Sequence, residues 1–151
     1  MQLERRHFLG TLLLLPATAL LAAQDTAKIA PPGSVALRGK LETPDAESAA
    51  LRLRDGSLVQ LHGDEQTEKV LHDERLKGLD FEAVGRRGAD GSLTILPIHL
   101  AALFVYEKGK RLRVTYYCDV CSIRTYSPGV CMCCRKDTRI DLVDPASITG
   151  G

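Results

Sequence analysis

The sequence predicts a mainly β chain: five strands with one helix between the third and fourth, then a C-terminal β-hairpin module that carries cysteines. Three observations lead there. Apolar residues recur at every second position through most of the chain after residue 34, the pattern of strands with one buried face. One stretch, Asp64 to Lys77, replaces that period with helix-start, charge-pair and helix-stop signals. Four of the five cysteines form two C-x-x-C pairs, Cys118/Cys121 and Cys131/Cys134, separated by nine residues.

Residues 1–23 read as an export signal and not as fold. Arg5 and Arg6 precede Phe8 and Leu9, and an apolar run from Phe8 to Ala23, broken by Pro16, follows. Its 16 residues fall short of the ~20 that a helix needs to cross a bilayer. Ala17-Thr18-Ala19 suits a small-x-small cleavage rule, and Ala22 or Ala23 would serve as well. The Arg-Arg-x-Phe-Leu core resembles a bacterial twin-arginine signal, although it lacks the usual Ser or Thr before the arginines and the Lys that often follows Leu. The resemblance implies an exported protein, periplasmic or extracellular, tethered if the signal is kept. No other stretch is apolar enough to span a membrane, so the mature chain is expected to have no transmembrane helix.

Residues 24–33 form a linker ending in Ile29-Ala30-Pro31-Pro32-Gly33, whose proline pair favours extended backbone. Val35, Leu37 and Leu41 then set the alternation of a first strand. Leu51 to Arg54 and Ser57 to Leu61 flank Asp55-Gly56, a pair able to take the positive φ angles of a tight hairpin turn. In the helix, Asp64 and Glu65 suit the N-terminal end, Glu65/Lys69 and Asp73/Lys77 are i, i+4 pairs, and Gly78 closes it. Its apolar face is thin, Val70, Leu71 and Leu76, as for a helix that covers something larger. Leu79, Phe81 and Ala83 mark the next strand, and Gly88-Ala89-Asp90-Gly91 turns into Leu93-Thr94-Ile95. A further hairpin runs from Ala102 to Tyr106, through Glu107-Lys108-Gly109-Lys110, to Leu112–Tyr117 and Cys118. Arg139 to Val143 reads as a closing strand.

Three strands, a helix and two strands over residues 34–106 resemble an OB-fold, a small Greek-key barrel with a helix between its third and fourth strands. Strand, C-x-x-C, loop, C-x-x-C, strand over residues 107–144 resembles a zinc ribbon. Residues 145–151 are expected to be a flexible tail. With no Trp and few aromatics, the core must be mostly aliphatic.

Two residues between cysteines let the chain turn back so that both sulfurs face one point, and Ser127-Pro128-Gly129 supplies the reversal between the pairs. Four thiolates give the closed tetrahedral shell of structural zinc. Cys118, Cys121, Cys131 and Cys134 are therefore the expected metal ligands, with Cys133 an alternative ligand or a free thiol. Copper(I) and iron are the alternative ions, copper because Cys131-Met132-Cys133-Cys134 is dense in soft sulfur. Zinc ribbons commonly place Gly just after the second cysteine. Here Ser122 and Arg135 stand there, which predicts a departure from the rubredoxin-like knuckle. Disulfides compete in an oxidising compartment, although five cysteines cannot all pair internally.

Other chemistry lacks its residues. Neither pair is followed by the His of c-type haem attachment, and the plant-type iron–sulfur spacing is absent. There is no Ser-His-Asp set, no phosphate loop and no His–Glu metalloprotease motif. His62, His72 and His99 suit ordinary surface or packing roles, and the central acids a solvated face. Loss of the signal removes two of 20 basic and one of 19 acidic residues, leaving a neutral mature chain. Acids outnumber bases 11 to 5 from Glu42 to Glu82, and bases outnumber acids 8 to 3 from Glu107 to Ile140, where they can offset thiolate charge. The expectation is a non-enzymatic metal-binding or accessory protein, with a periplasmic thiol-redox, copper-handling or electron-transfer protein as the alternative. Its partner, a protein or small molecule, is unspecified. Nucleic acid is disfavoured because the barrel offers only Phe81 and Phe104 for stacking.

Overall fold

The computed structural model describes residues 31–148; the assigned export signal and most of the linker lie outside them. Strands β1 (Val35–Glu42), β2 (Ala49–Arg52) and β3 (Leu58–His62) precede helix α1 (Glu65–Leu71), followed by β4 (Asp80–Arg87) and β5 (Leu93–Ile95). β1 pairs antiparallel with β2, and β2 with β3; β3 runs parallel to β5, β5 antiparallel to β4, and β4 antiparallel to β1. The sheet thus closes on itself as a five-stranded barrel with the helix between its third and fourth strands. That is the OB-like barrel the strand order predicts.

Closure depends on β1 serving two neighbours. Val35 to Lys40 pair with β4, while Lys40 to Glu42 pair with β2. At the crossover, a Cβ on Gly39 would lie 2.2 Å from the Arg52 carbonyl oxygen, and one on Gly85 would lie 2.3 Å from that of Thr94. Only glycine permits backbones to approach so closely at these two positions.

The core is aliphatic, as the composition requires. Leu41, Leu51, Leu71, Leu76, Phe81 and Leu93 are fully buried. The thin apolar face of the helical segment, Val70, Leu71 and Leu76, enters this core completely. Asp64 caps α1 by accepting from the Thr67 amide at 2.8 Å, and Lys69 bonds Glu65 at 2.7 Å. The helix ends at Leu71, short of Lys77. His72 closes it, and Asp73 turns its carboxylate toward Arg75 and Tyr116 instead of Lys77, which reaches Glu74 at 3.9 Å. Gly78, with φ 76°, still ends the segment and donates to the Leu41 carbonyl at 2.8 Å.

Beyond the barrel, a 3₁₀ turn (Ile98–Leu100) leads into β6 (Leu103–Glu107) and β7 (Lys110–Cys118). Lys108 and Gly109 between them both have positive φ, the geometry of a tight hairpin turn. β6 pairs with β4, so the barrel sheet continues into the C-terminal module. There β7 lies between β8 (Ile123–Thr125) and β9 (Arg139–Val143), antiparallel to both. Among the described residues, no helix is long and apolar enough to cross a membrane.

Candidate metal centre

β7 delivers Cys118 to the end of this three-stranded unit, where it pairs with Ile123 of β8. The chain between them makes a tight knuckle: the Ser122 amide donates to the Cys118 carbonyl at 2.8 Å, and Ser122 sits at φ 56°. The second knuckle repeats this. The Arg135 amide donates to the Cys131 carbonyl at 2.9 Å, and Arg135 sits at φ 60°. The Cys131 amide donates to the Lys136 carbonyl at 2.8 Å, and a Val130–Asp137 bridge closes the loop. Thr138 anchors its base, donating from both its amide and its hydroxyl to the Gly129 carbonyl.

The departure expected from the missing glycines is therefore corrected. Ser122 and Arg135 take the left-handed conformation that glycine would take more easily. Each knuckle also turns amides toward its first sulfur, those of Cys121 and Val120 toward Cys118, and those of Cys134 and Cys133 toward Cys131. The hydrogen bonds of the fold outweigh the backbone preference of two side chains.

The sulfur atoms of Cys118, Cys121, Cys131 and Cys134 all lie within 4.8 Å of one another, with Cys118 and Cys134 3.4 Å apart. A tetrahedral shell with bonds of about 2.3 Å spaces its sulfurs by about 3.8 Å, whereas a disulfide brings them to about 2.05 Å. The four are thus gathered at coordination spacing, and all five cysteines are free. Cys118 and Cys131 are buried, Cys121 and Cys134 partly so, and Cys133 is exposed outside the group. No other group of three or more His, Cys, Asp and Glu side chains able to hold a metal occurs among the described residues.

The electrostatics suit a cation. The amides of Cys134 and Cys133 lower the pKa of Cys131 to about 7. For Cys118 the Cys121 amide is the largest influence and favours the thiolate, but burial with the Cys134 and Cys131 thiols outweighs it and raises the pKa. That of Cys121 is raised, first by the thiol of Cys133 and then by burial. Crowding with neighbouring thiols disfavours the thiolates of Cys118 and Cys121, and a divalent ion at the centre of the group would offset that. The residues present fit such an ion.

The charges near the site are arranged differently from the simple offset that composition suggests. Arg139 bonds Asp119 and Asp141, both at 3.0 Å, and Arg124 bonds Asp141 at 2.5 Å. Both guanidinium groups also flank the Tyr117 ring, at 5.2 and 5.3 Å. These two arginines are matched by carboxylates, leaving Arg135 and Lys136 exposed beside the second knuckle.

Two polar nodes tie the module to the barrel, and local patterning announces neither. Tyr116, fully buried, donates to Asp73 at 2.8 Å, while Arg75 clasps the same carboxylate at 2.6 Å. Glu82, also buried, accepts from Arg111 at 2.5 Å and from Tyr106 at 2.8 Å. Asp73 and Glu82 are thus exceptions to the solvated acidic face. Partners 43 and 29 positions away leave no short-range signal. The histidines lie elsewhere: His62 ends β3, His72 closes α1 with Nδ1 2.9 Å from the Glu68 carbonyl, and His99 is in the 3₁₀ turn.

Comparison with protein-family models, curated proteins and solved structures finds no match to this chain. The metal centre stands on its own geometry.

Proposed function

We propose that this is an exported, non-enzymatic binding or accessory protein whose C-terminal module is held together by one zinc ion on Cys118, Cys121, Cys131 and Cys134. The observation that carries the reading is the convergence of four sulfurs from two knuckles to within 4.8 Å. When bound, zinc supplies a redox-inert tetrahedral cross-link. The chain supplies the ends that need it, because β8 has three residues and the segment from 126 to 138 contains no strand of its own. Metal loading before export would protect the thiolates from an oxidising compartment. The barrel then serves as a platform for a protein or small-molecule partner. Nucleic acid is a poor fit, since Phe81 and Phe104 are buried and closed to base stacking.

Protein purified without added metal is expected to contain about one zinc per chain by elemental analysis, and Cys118→Ser about none. Metal-free protein with intact disulfides would overturn the reading; iron or copper(I) in the same shell would change the ion and favour electron transfer or copper handling. Export is tested separately. Replacing Arg5 and Arg6 with lysine is expected to retain the chain in the cytoplasmic fraction, and unchanged export would remove the twin-arginine assignment.

A further inference from the structure

The barrel wall has a gap beside β3. That strand pairs with β2 from Leu58 to Leu61, but on its other side β5 begins only at Leu93, level with Leu61. The Leu53 amide donates to the Ser57 carbonyl at 2.9 Å, which makes Leu51–Val59 and Ala49–Leu61 the next bonded pairs of the β2–β3 ladder. The alternation therefore turns the backbone groups of Leu58 and Gln60 away from β2, and among the described residues no strand lies beside Leu58 on that side. The gap is a cleft of about 290 Å³, walled by residues 57–60 and His62 and, opposite them, by Arg87 and the turn at residues 90–92. Asp90 in that turn is held by its own loop, accepting from the Ser92 amide at 3.0 Å and the Ser92 hydroxyl at 2.7 Å. Arg87 is exposed, and among the described residues its guanidinium has no carboxylate partner.

We propose that this cleft binds the C-terminal end of an extended partner peptide, which pairs its backbone with the free edge of β3 and sets its carboxylate beside Arg87. The inference rests on the reading of the barrel as a binding platform and names the class of ligand for it. Backbone groups that face an empty strand position recognise another backbone, whatever its side chains. The free stretch is short, and the start of β5 at Leu93 blocks it. A chain running parallel to β3, as β5 does, meets that block with its C-terminus. Arg87 stands there, because it is the cross-strand partner of Leu93. Its forked guanidinium matches a carboxylate in shape and charge. Leu58, 45% exposed, offers the incoming side chains an apolar contact beside the free edge.

The test uses the full mature protein as isolated and a library of random octapeptides displayed with free C-termini. The selected peptide is then synthesised as the acid and as the C-terminal amide, and each is titrated into isotope-labelled protein. The acid is expected to shift the amide signals of Leu58, Gln60 and Ser92, and amidation or Arg87→Ala to weaken binding about tenfold, as loss of a charge-assisted pair should. Leu58→Pro removes an amide that faces the cleft, at the first position of a strand, where proline is tolerated. It is expected to weaken binding by a similar factor with the zinc content and circular dichroism of wild type; should it fail to fold, the amidated peptide and Arg87→Ala still decide. No enriched peptide, shifts confined to another surface, or equal binding of acid and amide would overturn the proposal. So would the same shifts produced by oligothymidylate or an oligosaccharide and by no peptide. Each of these outcomes leaves the four-cysteine site standing, whereas protein isolated without metal would overturn the zinc reading and leave the cleft untouched.

Discussion

Asp73 is the residue where the barrel and the cysteine module meet. Its carboxylate, 6% exposed, accepts from Arg75 behind α1 and from Tyr116, two positions before Cys118 on β7. Burial is the largest single influence on its pKa and pushes upward, but the bonds from Arg75 and Tyr116 prevail and hold it below the usual 3.8. A carboxylate depressed in the folded state stabilises fully above its unfolded pKa, and that contribution is lost as pH falls through the lower folded value. Asp73→Asn is therefore expected to lose about 1.5–3 kcal/mol at neutral pH, the usual worth of hydrogen bonds to a charged group. Its deficit relative to wild type should shrink below about pH 4. Urea unfolding followed by circular dichroism from pH 6 to pH 3 measures both. A deficit constant across that range would mean that the charge on Asp73 contributes nothing.

At the scale of elements, the knuckles and the barrel seam make opposite demands on glycine. Ser122 and Arg135 hold left-handed backbone conformations that cost a non-glycine residue about 1–2 kcal/mol. Ser122→Gly and Arg135→Gly are each expected to raise stability by up to about 1 kcal/mol, with unchanged zinc stoichiometry. Thermal melts of the zinc-loaded variants check this, and lower melting temperatures would mean that the side chains themselves hold the knuckles. At the seam, Gly39→Ala drives a Cβ to 2.2 Å from a carbonyl oxygen of β2, where backbone must shift. A loss of about 1–3 kcal/mol is expected, and a wild-type unfolding midpoint would show that the strands have room to part. What the sequence makes legible follows from how local each signal is. The Asp55-Gly56 turn, with Gly56 at φ 85°, and the Asp64 cap of α1 are written within a few residues. The helix end is not, because Asp73 is claimed by Tyr116, 43 positions on. Nor is the seam, since nothing around Gly39 marks it as the point where β1 changes partners.

At the scale of the whole molecule, the strands of the described residues form one continuous sheet that begins as a closed barrel and ends in two cysteine knuckles, with β4 pairing into the hairpin that leads there. The spacing of the C-x-x-C pairs marks the two stretches whose sulfurs converge. It does not decide which of Cys131, Cys133 and Cys134 join Cys118 and Cys121, because the four consecutive positions Cys131 to Cys134 permit several ligand pairs and only the folded knuckle selects one. The same architecture separates the roles of the core and of the proposed metal site. The aliphatic barrel has its own buried interior, whereas the segment from 126 to 138 has little beyond Cys131 and Thr138 to bury. Cys118→Ser is accordingly expected to dissolve the knuckles and β8 while the barrel persists, seen as loss of amide signals from residues 118–138 alone. Global unfolding would show instead that the barrel depends on the metal. The most direct test is X-ray absorption at the zinc edge on protein as isolated. The proposed zinc site predicts four sulfur neighbours at about 2.3 Å; a shell containing nitrogen or oxygen, or fewer than four sulfurs, would contradict it.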